Sequence, residues 1–94
     1  MIDLLEPSEL KAALKKLPDW ELEGKKIVRT LEFEEFSEAI DFVNGVAEIA
    51  EEADHHPDIR ISYTKVTLTL ITHDAGGITE SDIEVAKKID HLID

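Results

Sequence analysis

Between Trp20 and Ile93 the apolar residues change period in a fixed order, and that order restricts the fold more than any other feature of the chain. Trp20 and Leu22 alternate, and after the charged turn Glu23-Gly24-Lys25-Lys26 so do Ile27, Leu31 and Phe33. Period two is the pattern of a half-buried strand. From Glu34 the spacing becomes helical, with Phe36, Ile40, Val43, Ala47 and Ala50 on one stripe that Phe42, Val46 and Ile49 widen. So wide an apolar face belongs to a helix laid across a sheet. Past Pro57 the alternation returns in Ile59, Ile61 and Tyr63, slips by one at Thr64-Lys65, and continues in Val66, Leu68 and Leu70. Ile83, Ala86, Ile89 and Ile93 then form a last helical stripe, and Leu10, Ala13, Leu14 and Leu17 form an earlier one. The expected order is α-β-β-α-β-β-α. Its natural solution is an α+β fold, a four-stranded antiparallel sheet with three helices packed on one face.

Punctuation refines the boundaries. Ser8 is the expected N-cap of the first helix and Pro18 stops it at Leu17. The phase slip predicts a tight turn at Thr64-Lys65, although a bulged long strand fits the same residues. Thr79-Glu80-Ser81-Asp82 is a capping box that opens the last helix. Residues 1–94 contain no cysteine, so a single domain held by packing alone is expected, without disulfides or thiolate chemistry. The second and fourth strands, Ile27–Phe33 and Val66–Thr72, carry little edge protection, and the second helix is wider than a small sheet can cover. Both features predict self-association as a homodimer or homotetramer.

Charge narrows the partners. Twenty-two acids against ten bases give a formal net charge of −12, which argues against direct nucleic-acid binding, since that binding rests on clustered Lys and Arg. The apolar runs are too short for a membrane span or a secretory leader, so a cytoplasmic location is expected.

Histidine is scarce and unevenly placed. His55 and His56 are adjacent, His73 ends the fourth strand, and His91 lies among charged residues of the last helix as a solvated side chain. Glu51, Glu52, Asp54, Asp58, Asp74 and Asp82 ring the first three. Imidazoles oriented by carboxylates suit proton transfer near neutral pH. Three other chemistries fit poorly. Adjacent histidines lack the i,i+4 spacing of a helical zinc site. No G-x-S-x-G elbow supports a serine triad. Gly76-Gly77 is neither a Walker loop nor a dinucleotide fingerprint. Taken singly, each histidine is also explained as a cap or a turn residue, and Asp82 as the acid of its capping box.

Taken together, the run Glu51-Glu52-Ala53-Asp54-His55-His56-Pro57, then Tyr63, Thr72-His73-Asp74 and Asp82, resembles the pterin-4a-carbinolamine dehydratase family. The likeness extends from Pro18-Asp19-Trp20 to the last helix. It implies dehydration of a 4a-hydroxytetrahydropterin to quinonoid dihydropterin and water, in support of tetrahydrobiopterin recycling. The family's working histidines fall on His55 and His73 and its substrate-holding histidine on His56. Its supporting acids fall on Glu51, Asp54 and Asp82, and Pro57 shapes the pocket wall. The resemblance implies a pterin substrate, no metal and no other cofactor. Ile59 stands where many relatives carry tryptophan, and Thr64 replaces a residue better suited to a turn. The alternative implied by the same family is a non-catalytic scaffold, a transcriptional coactivator or an assembly factor that binds protein.

Overall fold

The computed structural model describes residues 3–93. Its elements are α1 (Pro7–Lys15), β1 (Glu21–Glu23), β2 (Lys26–Glu32), α2 (Phe36–Ala53), β3 (Asp58–Ser62), β4 (Lys65–Leu70) and α3 (Glu80–Ile93), the α-β-β-α-β-β-α order expected from periodicity. The strands form one antiparallel sheet in the order β1-β2-β4-β3. Each sequential pair is a hairpin, and the two hairpins join through β2 and β4, with Ile27 opposite Leu70 and Leu31 opposite Val66.

This order corrects the expected edges. β2 and β4 are the central strands, β2 pairing with β1 over Lys26–Val28 and β4 with β3 over Lys65–Thr69, and the edges are β1 and β3. Ile27, Leu31, Val66, Leu68 and Leu70 point to one face and are buried there beneath α2 and α3. The other face carries Val28, Thr30, Thr67 and Thr69, which no helix covers.

The helices differ from expectation at their ends and in their rotation. α1 starts after Glu6 rather than Ser8, with the Glu6 amide donating to Glu9 Oε1 at 2.9 Å. It ends at Lys15, two residues before Leu17, because Lys16 and Leu17 already turn back onto the carbonyls of Ala13 and Leu14. α2 buries Ala39, Phe42, Val46 and Ala50, so the inward stripe is rotated from the expected one. Phe36 is 57% exposed and Ala47 faces outward. In α3 the inner stripe ends at Ile89, and Ile93 lies outside the core. The rotation of α2 follows from packing, because its wide apolar face contains two possible seams and the sheet selects one.

A charged cluster sits inside this core. Arg29 occupies an inward position on β2 between Ile27 and Leu31 and pairs with Asp90 of α3. Trp20 Nε1–H donates to the same Asp90 oxygen at 2.9 Å, and Asp19 lies 3.5 Å from the guanidinium. The cluster ties the α1–β1 connection, β2 and α3 together.

The two hairpin turns solve one problem with different residues. Gly24-Lys25 joins β1 to β2, with Gly24 at φ +63°, a value that costs glycine nothing. Tyr63-Thr64 joins β3 to β4, one residue earlier than expected, with Tyr63 at φ 56°. Its side chain is 87% exposed and so recovers little of that strain by packing. Left-handed backbone costs an ordinary side chain about 1–2 kcal/mol, and asparagine tolerates it better. Tyr63→Asn is therefore expected to raise stability by about 0.5–1 kcal/mol in chemical denaturation; an equal or lower midpoint would contradict the strain.

Candidate active site

The site begins where α2 stops. Asp54 takes a left-handed conformation (φ 51°, ψ 40°) at the helix C-terminus, and the His55 amide closes back on the Ala50 carbonyl at 3.1 Å. This reversal turns the chain away from the helix axis and directs the His55 ring at the first turn of α3. There His55 Nε2 lies 2.6 Å from Asp82 Oδ1, within hydrogen-bond distance. The Asp54 side chain is exposed and makes no side-chain hydrogen bond among the described residues, so its visible contribution is the turn itself.

Asp82 is completely buried, and its second oxygen is also occupied. Oδ2 accepts from the Thr79 amide at 2.9 Å and from the Thr72 hydroxyl at 2.7 Å. The first contact is the acidic half of the expected capping box. The second reaches across to the residue that follows β4. Thr72 is held in place by its own turn: its amide donates to Gly77 O at 2.9 Å and its carbonyl accepts from Ala75 and Gly76. Gly76, at φ 73°, makes that reversal possible and brings Thr72 and Thr79 side by side. Their hydroxyls lie 2.7 Å apart. A buried carboxylate with this many donors is stable where a bare one would not be.

The remaining expected residues lie further out. His56 Nε2 is 2.5 Å from Glu51 Oε2, but the side chains are 57% and 76% exposed, so the pair is screened by water and holds orientation rather than stability. Pro57 is half-buried and leads into β3. His73 is exposed on the open face of the sheet, in a groove with Lys26, Thr30, Asp58, Arg60 and Thr69. The structure thus joins His55 to Asp82 and His56 to Glu51, and forms no hydrogen bond from His73 to either histidine among the described residues. No three of the described His, Asp or Glu side chains converge as a metal ligand set. Sequence reasoning missed Thr72 and Thr79 as members of the site. The signal was present in part, because Thr79 opens the capping box and Thr72 adjoins His73.

Comparison with known proteins places this geometry. Residues 3–92 match the family model described as Pterin 4 alpha carbinolamine dehydratase. A "Putative pterin-4-alpha-carbinolamine dehydratase" of Picosynechococcus sp. is 51% identical over 92 residues, which is 98% of this chain and 100% of the relative. A protein of the same name from Thermomicrobium roseum is 52% identical over 88 residues, covering 94% of this chain and 95% of the relative. Among solved structures, the transcriptional coactivator/pterin dehydratase from Brucella melitensis superposes with a TM-score of 0.89 at 38% identity, over 95% of this chain and 97% of that one. A pterin dehydratase-like protein identified as a RuBisCO assembly factor in the alpha-carboxysome superposes at a TM-score of 0.68 and 25% identity, over 79% of this chain and 88% of that one.

The backbone role of Asp54 is open to a direct check. Asp54→Gly keeps the left-handed turn and is expected to hold the unfolding free energy within about 0.5 kcal/mol. Asp54→Val cannot adopt that turn without strain and should cost about 1–2 kcal/mol. Equal stability of the two variants would show that the turn is not the constraint.

Proposed function

Because the chain belongs to the pterin 4 alpha carbinolamine dehydratase family, we propose that it dehydrates a 4a-hydroxytetrahydropterin to the quinonoid dihydropterin and water by histidine general acid/base catalysis. The observation that carries this reading is the His55–Asp82 pair, an imidazole whose orientation is set by a buried carboxylate. In the reaction the C4a–O bond breaks, the hydroxyl leaves as water, and the neighbouring ring N–H gives up its proton as the carbon–nitrogen double bond forms. Hydroxide is a poor leaving group, so an acid must protonate it while a base collects the nitrogen proton. His55 and His73 supply that pair. They stand in different environments, one anchored by Asp82 and the other free at the end of β4, as an acid and a base with separate tasks require. His56, steadied by Glu51, holds the substrate, and Pro57 shapes the wall beside it. Such a reaction supports recycling of tetrahydrobiopterin, and a cytoplasmic setting goes with it. No described helix is long and apolar enough to cross a membrane.

The competing reading is a protein-binding scaffold, the role named for the RuBisCO assembly factor above. A scaffold has no chemical need for an oriented imidazole. The deciding experiment follows dehydration of a synthetic 4a-carbinolamine by the purified protein against its spontaneous rate. An unaccelerated reaction would refute the dehydratase reading. Within it, His55→Ala and His73→Ala are each expected to lower kcat by about a hundredfold to ten-thousandfold, and His56→Ala to raise KM more than it lowers kcat. His73→Ala should leave the melting curve in place because the residue is exposed. His55→Ala should cost about 1–3 kcal/mol, since a buried carboxylate oxygen loses its donor.

We propose further that the protein works as a homodimer or homotetramer. Phe36 (57% exposed), Leu92 (47%) and Ile93 (40%) leave apolar surface uncovered on α2 and α3. Light scattering at micromolar concentration should give at least twice the 10.6 kDa chain mass; a species of chain mass at every concentration would overturn the assembly.

A further inference from the structure

Proton bookkeeping at Asp82 carries an inference that rests on the dehydratase reading and goes beyond it. Thr72 has one hydroxyl proton and two close partners, Asp82 Oδ2 and Thr79 Oγ1, both at 2.7 Å. If that proton pointed at Thr79, the Thr72 oxygen would face a carboxylate oxygen at 2.7 Å with no hydrogen between them, a repulsive contact in a fully buried place. The Thr72 proton therefore lies toward Asp82, and the proton on Thr79 Oγ1 points at Thr72. Thr79 Oγ1 is itself 3.5 Å from Asp82, too far to take over that role. The chain of hydrogen bonds runs one way, Thr79 to Thr72 to Asp82.

The consequence reaches the imidazole. With Oδ2 filled by the Thr72 hydroxyl and the Thr79 amide, Oδ1 is the oxygen left for His55. A carboxylate only accepts, so the ring nitrogen that meets it must carry the proton. That nitrogen is Nε2. Nδ1 has no hydrogen-bond partner among the described residues, yet no buried polar side-chain atom among them is left unpaired, so Nδ1 opens to solvent. We propose that Thr72 and Thr79 are positioning residues whose hydroxyls commit Asp82 Oδ1 to His55 Nε2–H, leaving Nδ1 as the nitrogen that exchanges protons with substrate.

The test uses the full-length protein with 15N-labelled histidine. Long-range proton–nitrogen correlation spectra of neutral His55, assigned against His55→Gln, read the tautomer without any substrate. The wild type is expected to show Nε2–H. Thr72→Val keeps the shape and removes the hydroxyl; with Oδ2 short of a donor the carboxylate is no longer held with Oδ1 toward His55, so the Nε2–H resonance should shift and kcat fall about tenfold at unchanged KM, while Thr72→Ser restores both. Thr79→Val removes only the far end of the relay and should lower kcat a few-fold with the tautomer kept; it carries the test if Thr72→Val does not fold by circular dichroism. An Nδ1–H tautomer in the wild type would overturn the inference. So would a folded Thr72→Val protein with wild-type spectra and kcat, or a folded Thr79→Val protein with wild-type kcat if Thr72→Val is lost. A wild-type protein that does not dehydrate the carbinolamine overturns the dehydratase reading instead, and the nitrogen spectra then still decide whether Thr72 holds Asp82 Oδ1 on His55 Nε2–H.

Discussion

The site depends on one buried charge. Asp82 sits in the first turn of α3 with no exposed surface, where an unpaired carboxylate would cost several kcal/mol. It is tolerated because three separate parts of the chain send donors to it: His55 from the end of α2, Thr72 from the end of β4, and the Thr79 amide from the start of its own helix. The same contacts that make the carboxylate tolerable fix how α2, the sheet and α3 meet. A cap that would otherwise serve one helix thereby becomes the joint of the molecule. At the opposite end of α3, Asp90 repeats the arrangement with Arg29 and Trp20, so the helix is tied to the sheet by a carboxylate near each end.

Much of this fold was legible because the period of apolar residues is local information. Strand order is not. Two hairpins leave open which of their strands will meet, and reading Ile27–Phe33 and Val66–Thr72 as edges treated their lack of protection as exposure. Their plainness has the opposite meaning along the stretches paired on both sides, which need no guarding; beyond Val28, β2 has no partner on its β1 side among the described residues. The guarded strands are β1, three residues long with Glu21 and Glu23, and β3, entered by Pro57 and carrying Asp58 and Arg60. Charges, proline and short length mark edges, so the signal was in the chain. Arg29 was harder to read, since a charged residue between Ile27 and Leu31 looks like an interruption of the strand until Asp90 is found sixty-one residues away.

The site shows the same division. The histidines and Asp82 stood out by residue type and through the family resemblance, and the structure joins His55 to Asp82 across twenty-seven positions. Asp54 stood out for the same reason, yet its side chain touches nothing charged, and what matters locally is its left-handed backbone. Thr72 and Thr79 were passed over because a threonine is ordinarily explained by strand propensity or a helix cap. Their part in the site arises only when a six-residue turn folds one hydroxyl onto the other.

Where the chain leaves the sheet after β4, two neighbouring side chains part company. The Thr72 hydroxyl reaches Asp82, whereas His73, the first residue of the turn that follows, lines the groove on the open face of the sheet. Among the described residues His73 has no side-chain hydrogen bond, while His55 is held by Asp82. In the proposed dehydration this has a chemical advantage for His55. Whether the ring is neutral or doubly protonated, Nε2–H stays on Asp82, and only Nδ1 gains or loses a proton. The buried carboxylate keeps all its donors through the cycle, and no buried group has to reorient when the proton moves. A fixed environment of that kind is what lowers the cost of charge transfer in a closed site. His73 needs no such anchor, since water can meet its changing charge at the mouth of the groove.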